Sequence, residues 1–506
     1  MGMLALRVVA ALTCAAGATF VLILIQIGTH FHLAIDEGIY LEGARRTAQN
    51  HVAYRDFFAL TGPGDFWLHG SLFRIFGPSL AISRAALSCE LTLICTAIYW
   101  LATRFTTRLF AAAIASLYLA MLLTSPYQLY VNHRWDSNTL SVLAVASLGA
   151  GIERQQRKYF LFAGILAGSA AWATPPVGIA VVAILVWMLF QPALRIHALS
   201  YCSGVAGISA AAVGILLYQG ALAPMVQHLL WSAGNYRSPN SVPYGYLSGD
   251  VSQVLAGGRT AVRTAEGMLP TVLPPLAYAG WLLLLWRRKK EIAHVRTLAG
   301  LIVVVSAAML AACYPRFGGH QLLFVSPLYW VLCACALFLA IPAAWLTISS
   351  IALLVAAAAL WIGAAPPRLP YRIQTQAGEV ECSKKHYVLL SGLQRRIQPG
   401  DSLFVFPYLP MVYFVTGGKN PTRYSFMQPG MMNAGDEASV IADLRAHPPK
   451  WIVWHDFSDA RIMSNWPNTD PARLHFLGIE RFFAENYRVV NAGEAASVGY
   501  RLLTPR

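Results

Sequence analysis

Charge is what this sequence has least of. Asp, Glu, Lys and Arg make up 12% of its 506 residues, against about 25% in soluble globular chains. Hydrophobic residues reach 57% and the mean hydropathy is +0.51. That balance excludes an ordinary soluble domain and points to a chain that crosses a bilayer many times. Acidic residues are scarcer than basic ones, 23 against 38, for a formal charge of +15. The basic residues fall mostly in short loops between apolar runs, which is a topological signal and not a nucleic-acid surface, so no nucleic-acid partner is expected. Cysteine is sparse and has no metal spacing: Cys14, Cys89, Cys95, Cys202, Cys333 and Cys335 lie inside apolar runs, Cys313 ends one, and Cys382 lies in the polar C-terminal part. Neither a disulfide framework nor a cysteine zinc site follows. Internal repeats and inverted halves of the transporter kind are also lacking.

What is present is a series of eleven apolar segments, near 8–28, 80–101, 109–125, 138–152, 159–174, 176–191, 198–219, 269–286, 297–313, 321–340 and 342–364. The first is longer than the roughly 7–15-residue core of a signal peptide and is read as a retained anchor. The last two are nearly continuous, and Pro342 marks the turn between them. Arg7, Arg104, Arg108, Arg154, Arg157, Lys158, Arg195, Arg287, Arg288, Lys289 and Lys290 fall on one side, which the positive-inside rule makes cytoplasmic. The other side receives the longer loops 29–79, 126–137, 220–268 and 314–320, and with eleven spans also residues 366–506.

The chain after Pro366-Pro367 changes character. "SLFVFP" (402–407) and "KWIVWHD" (450–456) read as strands, and "DEASVIADLRAH" (436–447) and "PARLHFLGIERFFAENY" (471–487) as helices. "RVVNAG" and "SVGYRLL" read as a closing pair of strands. Such alternation predicts a small α/β domain over 366–506, following a membrane domain over 1–365.

The first outer loop is the richest in chemistry. It carries Asp36, Glu37, Glu42, Asp56 and Asp65 with Arg45, Arg46, Arg55, Arg74 and Arg84, interleaved with aromatics. Its pattern is helical and amphipathic at 37–49 and 65–76, so both helices are expected along the membrane surface. Asp36 stands where the first apolar run ends. Asp is a favoured helix N-cap and Glu37 suits the first turn, and a capping carboxylate tends to stay ionised, as a general base or metal ligand must. The capping and functional readings of Asp36 are compatible, and both stand at this point.

Asp36-Glu37 followed by Tyr40, the run "AYRDFF" (53–58), Gly62-Pro63 and "FRIFGPSLAISR" (73–84) resemble the first extracytoplasmic loop of the GT-C superfamily of polyprenyl-phosphate-sugar-dependent glycosyltransferases. The likeness is to the bacterial branch of protein O-mannosyltransferase-like and aminoarabinose–lipid A transferase-like proteins. It covers the membrane part in layout and is specific mainly in this loop. The resemblance implies a GT-C-like, α-helical polytopic membrane protein with about eleven spans and a small C-terminal α/β domain. It also implies that Asp36 is the catalytic carboxylate. One departure is "TGPG" (61–64), where the aminoarabinose branch often has Lys-Pro-Pro. Another cation must then meet the donor phosphate, or the donor sits differently.

Two further loops offer such cations. "SPYQLYVNHRWDSN" (125–138) holds His133, Arg134 and Asp136, and "CYPRFGGHQLLFVSP" (313–327) holds Arg316 and His320. Arginine can grip phosphate with two parallel hydrogen bonds, strongly so at low dielectric. The bland alternatives are an interfacial aromatic and charged belt for the first loop, His133 above all, and a boundary turn bent at Gly318-Gly319 for the second. "WSAGNYRSPNSVPYGY" (231–246) could cover a site or be plain surface. "WHD" (454–456), at a strand's end, reads as a cap or turn.

The expected reaction is one displacement at the anomeric carbon, inverting by resemblance. The donor is a polyprenyl-phosphate-linked sugar, and the acceptor a hydroxyl on lipid, glycan or protein at the extracytoplasmic face. Asp36 would take or orient the acceptor proton. Arg316, His320 and Arg134 would hold the departing phosphate, and Tyr40, Arg55, Asp56 and Asp136 would support the substrate. Glu37 or Asp56 would assist or hold a divalent cation, magnesium or manganese; metal dependence stays open. The setting implied is the bacterial cytoplasmic membrane, with a cytoplasmic N-terminus and a periplasmic C-terminal domain. Competing readings are a lipid-sugar flippase, a diphosphate-donor polysaccharide ligase or polymerase, and a non-catalytic scaffold. The few polar residues inside spans, Gln26, Arg84 and Glu90, have no clear mid-membrane partner, which argues against a flippase.

Overall fold

The computed structural model describes all residues except 1–2, 32, 34, 125–128, 249–251, 253–254, 256–257, 288–295, 365–368, 456 and 492–498. The basic run at 288–290, the prolines at 366–367 and Asp456 therefore lie outside the described residues.

Every apolar segment forms a helix. The first nine helices are α1 (Met3–Ile27), α2 (Ile35–Ala48), α3 (Gly64–Phe76), α4 (Leu80–Ala102), α5 (Arg108–Thr124), α6 (His133–Arg154), α7 (Arg157–Ala173), α8 (Gly178–Phe190) and α9 (Arg195–Tyr218). Beyond them lie Gly258–Arg287, Arg296–Ala311, Pro327–Ala340 and Leu346–Ala364. Among the described residues, Leu80–Ala102, Arg195–Tyr218, Gly267–Arg287 and Ala343–Ile362 are long and apolar enough to cross a membrane, and shorter apolar helices accompany them. The segment expected at 321–340 is broken: a short helix, Gly319–Phe324, precedes Pro327–Ala340, because Pro327 lacks the N–H that a continuous helix needs and sits instead at the first turn of a new one. The long loop expected at 220–268 is also partly helical, since α10 (Leu222–Asn235) and the start of Gly258–Arg287 fall within it.

Small residues set the packing inside the bundle. A Cβ on Gly164 would overlap the Tyr201 carbonyl, and one on Gly204 the Leu161 carbonyl, so both glycines are needed for α7 and α9 to touch backbone to backbone. At one end of the bundle, charged loops meet: Arg104 pairs with Glu153 at 2.8 Å. The loops that the sequence reading places outside gather at the opposite end.

The C-terminal residues form a hairpin of β1 (Tyr371–Thr375) and β2 (Gly378–Cys382), then a four-stranded sheet of β3 (Leu403–Phe406), β4 (Trp451–His455), β5 (Tyr487–Val489) and β6 (Tyr500–Pro505) in the order β3-β4-β6-β5. β3 and β4 run parallel, in register Val405 with Val453; the other pairs are antiparallel. Helix Ala434–Ala446 makes the β3–β4 crossover and opens on a capping box of Asn433 and Asp436. Strands, crossover helix and closing pair lie where the sequence predicts them. The β1–β2 hairpin and the helices Lys384–Gln394, Met411–Thr416 and Asp459–Asn465 are additions.

Outer loops and C-terminal residues interlock. Phe31 N donates to Glu381 O and Glu381 N to Thr29 O, both at 2.7 Å, which joins the hairpin to the chain leaving α1. Phe58 N donates to Arg423 O at 2.9 Å. One hydrophobic core runs from the membrane helices into Val412–Val415, and a second joins the sheet's other face to Phe58.

This arrangement corrects the expectation that the helix after α1 lies on the membrane surface. α2 is enclosed between α3 and helix Met411–Thr416, with Tyr40 through Arg46 buried. Gly38 allows the approach, because a Cβ there would overlap the Met411 amide. The charges on α2 are satisfied internally: Arg45 makes two bonds to Glu42 (2.7 and 2.9 Å) and a third to Gly418 O, and Arg46 donates to Asp56 O at 3.0 Å. The polar half of an amphipathic pattern therefore faces protein.

Candidate active site

The first turn of α2 opens onto a cavity of about 470 Å³ at the outer-loop end, roofed by C-terminal residues. Asp36, Tyr40, Arg134, Arg316, His320 and Tyr408 all line it. Five of them are sequence candidates contributed by three separate loops. Tyr408 comes from the C-terminal part, and Tyr130 stands behind the wall.

Asp36 is not the N-cap. It lies inside the first turn of α2, and its oxygens accept from side chains: Tyr130 Oη at 3.3 Å and Tyr408 Oη at 3.4 Å. Tyr130 also meets His320 Nε2 at 2.9 Å, and the two rings stack at 5.4 Å and 5°. Burial pushes the Asp36 carboxyl above the ordinary aspartate range, while the charge of Arg316, the Tyr130 hydroxyl and Arg134 pull against it. Burial, then Arg134 and Arg316, lower His320 to about 4. At neutral pH it is an uncharged imidazole that contributes a hydrogen bond, not a positive charge, and the cationic role falls to the two arginines.

Arg316 is held by one bond, Nη2 to Asn465 O at 2.9 Å, and its buried Nη1 has no partner among the described residues. Its backbone is fixed by the turn from Cys313 O. Arg134 sits at the start of α6, where Asn132 caps the helix by accepting from the Arg134 amide at 3.0 Å, and it lies close to Cys313. Both guanidinium groups are half-buried and line the cavity, an arrangement that suits an anionic oxygen.

Glu37 faces away from the cavity. Its carboxylate accepts from Arg84 at 2.8 Å and from the Val131 amide at 3.1 Å, and Arg84 also donates to Leu129 O. The pair is buried and fixes both residues flanking Tyr130, so Glu37 acts on Asp36 through that tyrosine. Burial raises the Glu37 carboxyl, against the pull of Arg84. Its oxygens are occupied, so Glu37 does not fit a metal-ligand role.

Arg55 and Asp56 are not brought to the cavity. They form a surface ion pair at 2.8 Å, Arg55 donating also to Gln219 O, and Asp56 accepts from the Val52 amide at 2.7 Å. The Arg55 guanidinium holds Asp56 below the ordinary carboxylate range. These contacts close a turn and leave Asp56 no vacant side for a cation. Asp136 likewise points elsewhere, into a buried cluster with Asp65 and His69. His133 bonds Thr174 at 2.7 Å and lies 5.3 Å from the Tyr40 ring, at the cavity wall.

The residues missed by the sequence are Tyr130 and Tyr408. Tyr130 lies between two singled-out stretches but looks like any interfacial aromatic. Tyr408 directly follows a predicted strand, and nothing local relates it to Asp36. "TGPG" has a packing reason: Gly62 lies against the Trp172 carbonyl, where any Cβ would overlap.

No family model and no curated protein matches the chain. Solved structures do. ArnT from Cupriavidus metallidurans, bound to undecaprenyl phosphate, superposes with a TM-score of 0.57 at 12% identity, over 98% of this chain and 97% of that one. Its apo state gives 0.54 at 13% identity, over 99% and 98%. The archaeal oligosaccharyltransferase AglB from Archaeoglobus fulgidus, in complex with an inhibitory peptide and a dolichol-phosphate, gives 0.54 at 13% identity, over 88% of this chain and 69% of that one. At these identities the likeness is one of fold: the chain shares the fold of these structures along nearly its whole length.

Proposed function

We propose that this chain is a membrane glycosyltransferase that moves a sugar from a polyprenyl-phosphate-linked donor to an acceptor hydroxyl. The observation that carries the reading is the meeting of Asp36 with Arg134 and Arg316 in one cavity, at the junction of the first, second and 313–320 outer loops. The shared fold of proteins bound to undecaprenyl phosphate and dolichol-phosphate supports the donor class.

In this reading the acceptor oxygen bonds to the anomeric carbon as the bond from that carbon to the phosphate oxygen breaks, with inversion. Asp36 takes the acceptor proton, and the departing phosphate monoester gathers the negative charge that Arg316 Nη1 and Arg134 are placed to meet. Tyr130 and Tyr408 hold the Asp36 carboxylate by both oxygens, which fixes its direction. With the Tyr130 proton given to Asp36, neutral His320 donates its Nε2–H to Tyr130 Oη and so orients it. The extracytoplasmic location of this cavity in a bacterial cytoplasmic membrane belongs to the same proposal, as does an acceptor on lipid, glycan or protein selected by the C-terminal roof.

The test is Asp36→Asn in the full-length protein, assayed with a polyprenyl-phosphate sugar. A positioned base contributes about 10²–10⁴-fold, and the variant should lose activity in that range while keeping its melting temperature in detergent. Near-native transfer by a folded Asp36→Asn variant contradicts the assignment.

A further inference from the structure

A second cluster of ionisable groups lies where α3 and α6 pack, apart from the residues that line the cavity. Asp65 and His69 stand one turn apart on α3, with His69 Nε2 and Asp65 Oδ1 at 3.9 Å. Asp136 joins them from the first turn of α6. The three are 0%, 1% and 4% exposed. One ligating atom from each can be chosen so that all lie within 4.8 Å of one another.

The cluster is not satisfied by the protein. Among the described residues no N–H donor reaches either oxygen of Asp65, whose hydrogen-bond neighbour is the Asp136 carboxyl, and Asp136 Oδ2 and His69 Nδ1 also lack partners. The groups acting on Asp65 are desolvation and the Asp136 carboxyl, and Glu90 of α4 brings another carboxyl against Asp136. Among the described residues no arginine or lysine acts on them. Buried carboxylates in such contact persist only if they share protons or hold a cation.

We propose that Asp65, His69 and Asp136 bind a structural divalent transition metal, zinc first, that clamps α3 to α6. The donor set decides the class. One imidazole nitrogen with two carboxylate oxygens suits zinc, whereas magnesium and calcium favour all-oxygen sites. Zinc ligands at about 2.0–2.2 Å from the ion stand roughly 3–3.5 Å apart, so the observed spacing needs only small side-chain rotations to close. Glu90 or water supplies the fourth position. The clamp has a use: Asp136 lies two residues after Arg134, so the ion would fix the helix start that presents Arg134 to the cavity. The site is independent of what the cavity does.

The experiment measures bound metal on the full-length protein purified in detergent, by mass spectrometry of the elements, with thermal melting and cobalt substitution alongside. The expected result is stoichiometric zinc, a lower melting temperature after chelation that zinc restores, and visible cobalt absorption bands of a nitrogen and oxygen site. Asp65→Asn and His69→Gln should both lose the metal and the chelator response, whereas Asp36→Asn should keep both. Wild-type protein without stoichiometric metal, whose melting is indifferent to chelator and zinc, overturns the proposal and leaves a proton-sharing cluster; Asp65→Asn would then melt no lower than wild type. Metal lost on Asp36→Asn but retained by Asp65→Asn overturns it too, placing the ion in the cavity.

Discussion

Asp36 illustrates how a residue's role follows from its partners more than from its place in a helix. It sits in the first turn of α2, yet its oxygens are engaged by two tyrosine hydroxyls and faced by two arginines. Burial raises its carboxyl, and a base acts only when ionised. The transfer rate should therefore rise with pH through a value above the ordinary aspartate range and level off beyond it, as a pH–rate profile of kcat/KM would show. His320, lowered to about 4, is already neutral over the working range, so His320→Asn should leave that acidic limb in place while reducing the rate. Arg316→Lys keeps the charge but not the planar fork. It should raise KM for the phosphate-linked donor and lower kcat, with a loss of about tenfold or more in kcat/KM, corresponding to one charge-assisted hydrogen bond of about 1.5–3 kcal/mol. An unchanged kcat/KM for Arg316→Lys would remove Arg316 from the phosphate site.

At the scale of elements, the Glu37–Arg84 pair ties α2 to α4 and to the strip Leu129–Val131 that bears Tyr130. Removing one partner of a buried pair leaves the other charge unpaired, at a cost of about 3–5 kcal/mol. Glu37→Leu should therefore lower the melting temperature markedly, and Glu37→Leu with Arg84→Leu should recover much of it; equal melting of the single and double variants would show that the pair does not hold α2. Much of this layer was legible in advance. The helices follow from apolar runs, the break at 342 from its proline, and the crossover helix from its acidic start; the break at Pro327, inside a segment read as continuous, was not legible. The contribution of Asp36, Arg134, Arg316, His320 and Tyr40 to one cavity was legible because all five lie in loops on the same side. The enclosure of α2 was not. Its charged residues look solvent-facing until Gly418, Thr422 and Met411, more than 360 positions later in the chain, cover them. Arg55 and Asp56 were read toward the site for a similar reason: adjacency in a charged loop says nothing about which way the turn closes.

Across the whole molecule, the C-terminal residues and the outer loops share both hydrophobic cores, and backbone bonds cross between them at Phe31, Glu381, Phe58 and Arg423. The composition break near 366 marks where the chain leaves its last apolar helix, but it carries no information on what the new segment packs against. A fragment of residues 371–506 expressed alone should lack a cooperative thermal transition, since one face of its structure would lose the partner seen here; a sharp transition would show a self-sufficient domain.

The proposed transferase breaks a sugar–phosphate bond and forms a glycosidic one, instead of carrying the lipid-linked sugar across the bilayer. The most direct measurement places the purified full-length protein in proteoliposomes with a polyprenyl-phosphate sugar labelled in the sugar, together with an envelope extract as acceptor. Both the chemical form of the label and its leaflet are then followed. For a transferase, the label leaves the polyprenyl phosphate and enters a new glycosidic bond with wild type but not with Asp36→Asn. Label that changes leaflet while still attached to its polyprenyl phosphate, equally for both proteins, would contradict it.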